Sequence, residues 1–241
     1  MKYFVLFLVV FINNATLIAQ ELATEIELEG KLLFRMEKGS WYGTDHFLEN
    51  FNNKKDSIGG YLSYANENSR ISTIFFSKYY SDQILIRYEF DSIPNVNPIQ
   101  VDSLNKNATA LEKDLISIRM DALDRINKNE NGFFSFYKNT SLNLIPIISG
   151  KEKRVFTITG QQINGIVLLG NDYLLEYNIK NKFKKKKKIH NSIIELQAKS
   201  DDPSQNIKST IHSHILSDYI NSTDVCTLLL FKNFVDGNNI L

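Results

Sequence analysis

The sequence predicts an α+β fold in which antiparallel or mixed β-sheets accompany one long amphipathic central helix. Three observations support this prediction. Short aromatic and β-branched runs, separated by turn residues, occur on both sides of the middle of the chain. Between them, apolar residues recur every three or four positions over 111–126, which is typical of a helix packed on a sheet. Hydrophobic residues make up 43% of the 241 residues, enough to form a core.

The charge balance and the cysteine content exclude several classes of protein. The chain has 28 Lys and Arg against 27 Asp and Glu, which argues against a nucleic-acid binder or a general binder of anionic membranes. We therefore expect a protein or peptide partner of unknown identity. The single cysteine, Cys226, excludes an intramolecular disulfide framework and a Cys-rich zinc site. It lies in an apolar run over 225–235 that predicts a core strand with a buried, inert thiol.

The first nineteen residues predict a signal peptide. Met1 and Lys2 form a short positive region, an apolar run over 3–12 follows, and residues 17–19 resemble a cleavage site. The run is too short to span a bilayer, which needs about 20 residues. We expect a mature chain that begins at Gln20 or Glu21, is exported to the periplasm or secreted, and has no stable membrane insertion. The alternative is a buried N-terminal strand.

After the signal peptide, the sequence divides into two segments, 20–131 and 132–241, which could also form one continuous domain. The first segment begins with a mixed region over 21–56. A β-meander with strands at 61–64, 71–77 and 83–90 then follows. The alternation of Ile84, Ile86 and Tyr88 with more polar positions predicts that one face of the third strand is solvated.

The central helix follows an extended connector at Pro94 and Pro98. Thr109 and Glu112 have the spacing of a capping box, so the helix should begin there. An apolar stripe follows, and the residues 127–132 supply a stop signal. The stripe consists of Leu111, Leu115, Ile118, Ala122 and Ile126.

The second segment is predicted to be rich in β-structure. Candidate strands lie at 133–137, 142–148, 155–159, 163–169, 173–177, 189–196, 207–211 and 225–235. The run of five lysines from Lys184 to Lys188 falls in a predicted hairpin between Tyr177 and Ile189. It is either a solvated hairpin that protects a sheet edge or a patch that binds phosphate, nucleic acid or anionic lipid.

The most specific chemical pattern lies near the C-terminus. His212 and His214 follow a strand-like run, so both imidazoles could emerge on the same side of a strand end. Asp224 stands ten positions after His214. Two imidazoles and a carboxylate suit a zinc site with an open fourth position for water. Such a site lowers the pKa of the bound water and polarises a scissile carbonyl. The alternative is that the two histidines cap or pack a strand end.

The His212-x-His214…Asp224 pattern resembles the JAMM/MPN metallopeptidases, which include deubiquitinating enzymes. The resemblance covers about residues 155–235, and the glycine-flanked run 164–170 resembles the first strand of that family's site. It implies a zinc-dependent hydrolase with His212, His214 and Asp224 as ligands. Ser222 lies beside the position of the family's serine. Gln162 stands where the family has its glutamate base, and Glu176 is the nearest acidic substitute.

The segments 170–173 and 222–231 also resemble a group of uncharacterised secreted Bacteroidota proteins. Two functional hypotheses follow. The first is an exported JAMM-like zinc hydrolase, or its inactive descendant, since a glutamine at 162 cannot accept a proton from bound water. The alternative is a non-catalytic, exported β-rich protein with a binding or structural role. Its binding surface would include Trp41, Tyr42, Tyr79 and Tyr80, unless these aromatic residues belong to the core.

Overall fold

The computed structural model describes residues 2–80, 82–163, 166–197 and 216–232, with side chains from residue 19 onward except that of residue 197. Within these ranges lie three α-helices, α1 (Lys2–Asn50), α2 (Ala110–Lys128) and α3 (Ser222–Phe231). The strands are β1 (Ile58–Ala65), β2 (Ile71–Ser77), β3 (Gln83–Phe90), β4 (Gln100–Asp102), β5 (Lys106–Asn107), β6 (Thr140–Ser149), β7 (Glu152–Gln161), β8 (Ile166–Gly170), β9 (Tyr173–Tyr177), β10 (Phe183–Lys188) and β11 (Ile193–Gln197).

The described strands form three antiparallel sheets. One sheet has the order β1-β2-β3-β4, with β5 also paired to β3, and a second has the order β10-β9-β7-β6. The strands β8 and β11 form a separate ladder. A shared core cluster contains residues of α1, of both larger sheets and of α3, whereas α2 packs into two other clusters. The predicted α+β class is therefore confirmed, with α1 and α3 on one side of the sheets and α2 on the other.

The central helix α2 begins and ends where its sequence predicts. Thr109 Oγ1 accepts a hydrogen bond from the Glu112 N–H at 3.2 Å, and Glu112 Oε2 accepts one from the Thr109 N–H at 2.8 Å. This capping box satisfies N–H groups that have no partner inside the helix. The apolar stripe is buried from Leu115 to Ile126, but Leu111 is 41% exposed. The helix ends at Lys128, and its C-cap residue, Asn129, has a left-handed φ of 42°.

The predicted β-meander is confirmed, but its solvated face is not. An irregularity in the pairing of β2 and β3 falls at Leu85, so Ile84 and Ile86 belong to different core clusters. Further along β3, Arg87 points toward α2 and binds Glu112. The alternation predicts that the face of β3 that carries Arg87 is exposed to solvent. In the structure α2 covers this face, because helices pack on both faces of the sheet.

The region that the sequence predicts to be mixed is helical as far as Asn50. Small residues let this part of α1 lie close to β2: a Cβ on Gly39 would be 2.6 Å from Ile71, and one on Gly43 would be 2.9 Å from Thr73. The signal peptide and export stay predictions. No helix in the described part of the chain has both the length and the apolar character needed to cross a membrane.

Of the predicted C-terminal strands, two are not strands in the structure and a third lies outside the described residues. Residues 222–231 form helix α3, so the strand predicted there is wrong, although Cys226 is fully buried as expected. Residues 133–137 form no strand. The run 207–211 lies outside the described residues. The predicted strands 142–148, 155–159 and 173–177 lie within β6, β7 and β9.

Helix α3 packs on α1 at Gly30, and this contact gives a first testable prediction. A Cβ on Gly30 would lie 2.5 Å from Val225 Cβ and 2.9 Å from the Ser222 carbonyl oxygen. We expect Gly30→Leu to lower the free energy of unfolding by about 1–3 kcal/mol, since it overpacks the contact. The control is Glu25→Leu, which adds the same side chain at an exposed position of α1 and should change it by less than about 0.5 kcal/mol. Equal effects in urea unfolding would contradict the packing role of Gly30.

Candidate functional site

A tight turn between β8 and β9 holds the first carboxylate of the candidate site, Asp172. Gly170 has φ 96°, and a Cβ there would lie 2.3 Å from the Ser192 carbonyl oxygen, so the turn requires glycine. Asp172 is 2% exposed, and its Oδ1 accepts a hydrogen bond from the Thr159 N–H of β7 at 3.0 Å. The turn is thereby bound to the neighbouring strand, and the position of the carboxylate is fixed.

Asn171, next to Asp172, is 1% exposed and holds the turn through its side chain. Its Nδ2 donates to the Ser135 carbonyl oxygen at 3.1 Å, and its Oδ1 accepts from the Tyr173 hydroxyl at 2.7 Å. The Thr159 hydroxyl donates to the Asn171 carbonyl oxygen at 2.9 Å. These bonds satisfy polar groups that would be costly to bury unpaired.

His190 lies between two carboxylates that come from distant parts of the chain. Its Nδ1 is 3.2 Å from Asp172 Oδ2, and its Nε2 is 3.2 Å from Asp224 Oδ1. The histidine follows β10, and the adjacent Ile189 N–H donates to the Asp172 carbonyl oxygen at 2.8 Å. The side chain of His190 is 13% exposed. We call Asp172, His190 and Asp224 the Asp–His–Asp cluster.

Asp224 is part of the first turn of α3 and is 1% exposed. Its Oδ2 accepts a hydrogen bond from the N–H of Asn221, the N-cap residue, at 2.9 Å. A carboxylate at this point also interacts favourably with the positive end of the helix dipole. One oxygen of Asp224 therefore caps the helix, while the other faces His190.

The charges of the Asp–His–Asp cluster favour a protonated histidine. Burial alone would lower the pKa of His190, but the two carboxylates outweigh it and raise the pKa to about 9. Burial raises the pKa of Asp172, against hydrogen bonds from His190 and Thr159. A histidine that is protonated near neutral pH donates from both ring nitrogens and cannot accept a proton as a general base. The cluster acts as an ionic clamp that joins the β8–β9 turn, the end of β10 and α3.

The structure describes three of the five residues that the sequence assigns to the hydrolase site, namely Glu176, Ser222 and Asp224. His212 and His214 lie outside the described residues. Ser222 belongs to α3, and its hydroxyl donates to Glu29 Oε2 of α1 at 2.8 Å. Glu176 lies on β9 and forms an ion pair with Lys185 at 3.3 Å. Glu176 and Ser222 therefore lie on different elements, and each binds a residue outside the predicted hydrolase site.

Two further features concern the zinc hypothesis. Gln162 is exposed beyond the end of β7, where its N–H donates to the Asn139 carbonyl oxygen at 2.9 Å. Within the ranges the structure describes, no group of three or more His, Cys, Asp or Glu side chains is placed to hold a metal ion. The zinc ligand set stays a prediction because its two histidines fall outside those ranges.

The lysine run forms strand β10 at the edge of its sheet, paired with β9 in the predicted hairpin. The run divides between the two faces of that sheet. Lys186 and Lys188 lie over the ring of Phe133, at 4.5 and 5.7 Å from its centroid. Lys184 and Lys187 instead line an open pocket on the other face. The hairpin prediction is confirmed, and two of its lysines belong to a concave surface.

We call this concave surface the basic pocket. Its volume is about 460 Å³, and five lysine or arginine residues and two glutamates line it. Its main charged residues are Lys151, Glu152, Arg154, Glu176, Lys184 and Lys187. The fifth cation, Lys153, turns its ammonium group toward Asp114 and Asn181, at 2.6 and 2.7 Å. The pocket lies beside the two hairpins that join β6 to β7 and β9 to β10.

Glu37 is a buried carboxyl group that sequence reasoning missed. It lies on α1, is 5% exposed and accepts a hydrogen bond from Asn143 Nδ2 at 3.0 Å. Burial raises its pKa to about 7, against this hydrogen bond and the charge of Arg119. No local pattern marks Glu37, because its burial depends on β6 and α2, which lie far along the chain. Cys226 is also buried, and burial raises the pKa of its thiol well above the usual range, which disfavours the reactive thiolate form.

The proposed aromatic surface is divided between core and solvent. Trp41 packs against Phe231 of α3, with ring centroids 5.7 Å apart, and Tyr42 packs against the core. Tyr79 and Tyr80 are 66% and 64% exposed beyond β2. These four residues therefore do not form one binding surface.

Comparisons with known proteins found no relative of this chain. No family model, no curated protein and no solved structure matches the chain.

Proposed function

We propose that the protein acts, after export, as a non-catalytic binding protein whose ligand occupies the basic pocket. The observation that supports this proposal is the pocket itself, a concavity of about 460 Å³ whose lining includes five cationic residues and two glutamates. Ligand sites for small molecules have volumes of about 300–1,000 Å³. The pocket lies on rigid, paired strands, which keep the side chains of a binding site in place.

The hydrogen bonds and ion pairs of the candidate catalytic residues favour a ligand-binding function over a hydrolytic one. Asp224 accepts the Asn221 N–H and faces His190, so a zinc ion would have to compete with both. The Ser222 hydroxyl is bound to Glu29, and that carboxylate also pairs with Arg154 at 2.7 Å. The zinc hydrolase, or its inactive descendant, is the second candidate. Its support is the spacing of His212, His214 and Asp224 in the sequence.

Metal analysis of the purified protein distinguishes the two candidates. A binding protein of this kind should contain far less than one zinc ion per chain, and His212→Ala/His214→Ala should leave that content unchanged. A hydrolase requires about one zinc ion per chain, lost in the double variant. The matched control is His46→Ala, which removes a histidine outside the predicted ligand set. Stoichiometric zinc in the wild type, lost only when His212 and His214 are replaced, would overturn the proposal.

A further inference from the structure

We propose that the ligand of the basic pocket is a small molecule with two or more phosphate or sulfate groups. This inference rests on the proposed binding function and adds the chemical class of the ligand. Phosphate and sulfate share tetrahedral, anionic oxygens that accept charge-assisted hydrogen bonds from ammonium and guanidinium groups. Three observations support it: two lysines of β10 face the pocket, three of the pocket's cations form no ion pair among the described residues, and the pocket is compact.

A bulge in β10 directs an additional lysine toward the pocket. Phe183 pairs with Tyr177, and Lys185 pairs with the next residue of β9, Glu176, so Lys184 is the extra residue. Phe183 packs into the α2-side core, whereas Lys184 and Lys187 line the pocket. In a regular strand, residues 183, 185 and 187 would share one face. The bulge therefore allows Phe183 to pack, half-buried, against the α2-side core while two lysines reach the same concave surface.

The carboxylates of the pocket leave several of its cations unpaired. Glu176 pairs with Lys185, and Arg154 pairs with Glu29. Within the described part of the chain, no carboxylate forms an ion pair with Lys151, Lys184 or Lys187. Three ammonium groups around one concavity repel one another, and a multiply charged oxyanion would relieve that repulsion.

The shape and lining of the pocket favour a small ligand over a nucleic acid. Single-stranded nucleic acids bind along extended basic grooves in which bases stack on aromatic rings. Tyr177 is the one aromatic residue among the described lining residues, and its ring is buried against Phe183, with centroids 6.0 Å apart. The pocket therefore offers cations without a stacking surface, which suits a compact polyanion.

Titration with two probes tests this inference. Sodium tripolyphosphate and a sulfated disaccharide would each be titrated against the wild-type protein by calorimetry at low salt. We expect at least one of them to bind, and the tighter one shows whether the natural groups are phosphates or sulfates. Lys184→Gln/Lys187→Gln should weaken that binding by about tenfold for each lysine removed.

The matched control is Lys186→Gln/Lys188→Gln, which removes the same charge from the same strand on the opposite face. It should bind the probe within about threefold of the wild type, since only the long-range field changes. Circular dichroism would establish that both double variants are folded. No binding of either probe by the wild type, or equal loss in the two double variants, would overturn the inference. Neither outcome alters the zinc measurement, in which stoichiometric zinc lost with His212 and His214 would overturn the binding function. Failure of the ligand assignment is therefore distinguishable from failure of the proposed function.

Discussion

His190→Ala is expected to lower the free energy of unfolding by about 3–5 kcal/mol at neutral pH. The substitution leaves Asp172 and Asp224, which are 2% and 1% exposed, without the cation between them. A buried charge that has lost its partner is costly, because burial keeps it away from the water that would otherwise solvate it. Urea unfolding followed by circular dichroism measures this change.

The control for His190→Ala is Lys185→Ala on the adjacent strand. It also removes the cationic partner of a carboxylate, Glu176, but this lysine side chain is 66% exposed. Exposed ion pairs contribute about 0–1 kcal/mol, so the control should have a small effect. If His190→Ala costs no more than Lys185→Ala, the Asp–His–Asp cluster is not an ionic clamp.

The pH dependence of stability gives a second measurement of the same clamp. Because the pKa of His190 is raised to about 9, its contribution is fully present below its unfolded pKa and is lost as pH rises through about 9. The unfolded pKa is about 6.5, so the loss between pH 6 and pH 10 amounts to roughly 3 kcal/mol. His190→Gln should remove this part of the pH dependence. An identical pH profile for the variant would show that His190 does not titrate as the geometry predicts.

Glu112→Ala is expected to destabilise the protein by a similar amount, about 3–5 kcal/mol. Glu112 is fully buried, and Arg87 Nη2 donates to its two oxygens at 2.7 and 2.8 Å. The same carboxylate accepts the Tyr64 hydroxyl at 2.9 Å and the Thr109 N–H that begins α2. Its loss would leave the half-buried Arg87 and Tyr64 donors without this acceptor, in addition to the lost helix cap at Thr109.

The pKa of Glu112 predicts the direction of its pH effect. Burial raises the pKa, but the Thr109 N–H, Arg87 and Tyr64 outweigh burial and hold it below its usual range. Stability from this group is therefore present above pH 4.5 and is lost as pH falls through the lowered pKa. The control is Asp124→Asn on the same helix, whose ion pair with Lys128 is exposed and should contribute less than about 1 kcal/mol. Equal effects of the two substitutions on thermal unfolding would refute this role for Glu112.

Local sequence predicted the elements whose signals lie within a few residues. The capping box at Thr109 and the apolar stripe from Leu115 to Ile126 predict α2 because propensity, pattern and packing agree there. Strands β2 and β3 are likewise found where their β-branched and aromatic runs predict them. Glu112 belongs to the capping box of α2 and also forms an ion pair with Arg87. Nothing in the sequence near residue 112 indicates that Arg87 is this partner.

The wrong strand prediction at 225–231 and the unpredicted helix α1 each have an identifiable cause. Residues 225–231 form an almost continuous apolar run that includes the β-branched Val225 and Thr227, so the run resembles a buried strand, although Asn221 and Asp224 have the spacing of a helix cap. Gly39 and Gly43 lower the helix propensity of α1, yet they are required where the helix lies against β2. In α1, the contact with β2 therefore outweighs local propensity. The cap at Asn221 is a signal that sequence analysis could have used.

By itself, the sequence determined the α+β class, the central helix, most of the strands and the placement of five lysines in a hairpin. It could not determine which side chains from distant segments meet. The tertiary structure alone brings His190 between Asp172 and Asp224, and it alone divides the lysine run between Phe133 and the basic pocket. The physical reason is that periodicity and capping act over a few residues, whereas charge pairing depends on contacts between elements far apart in the chain.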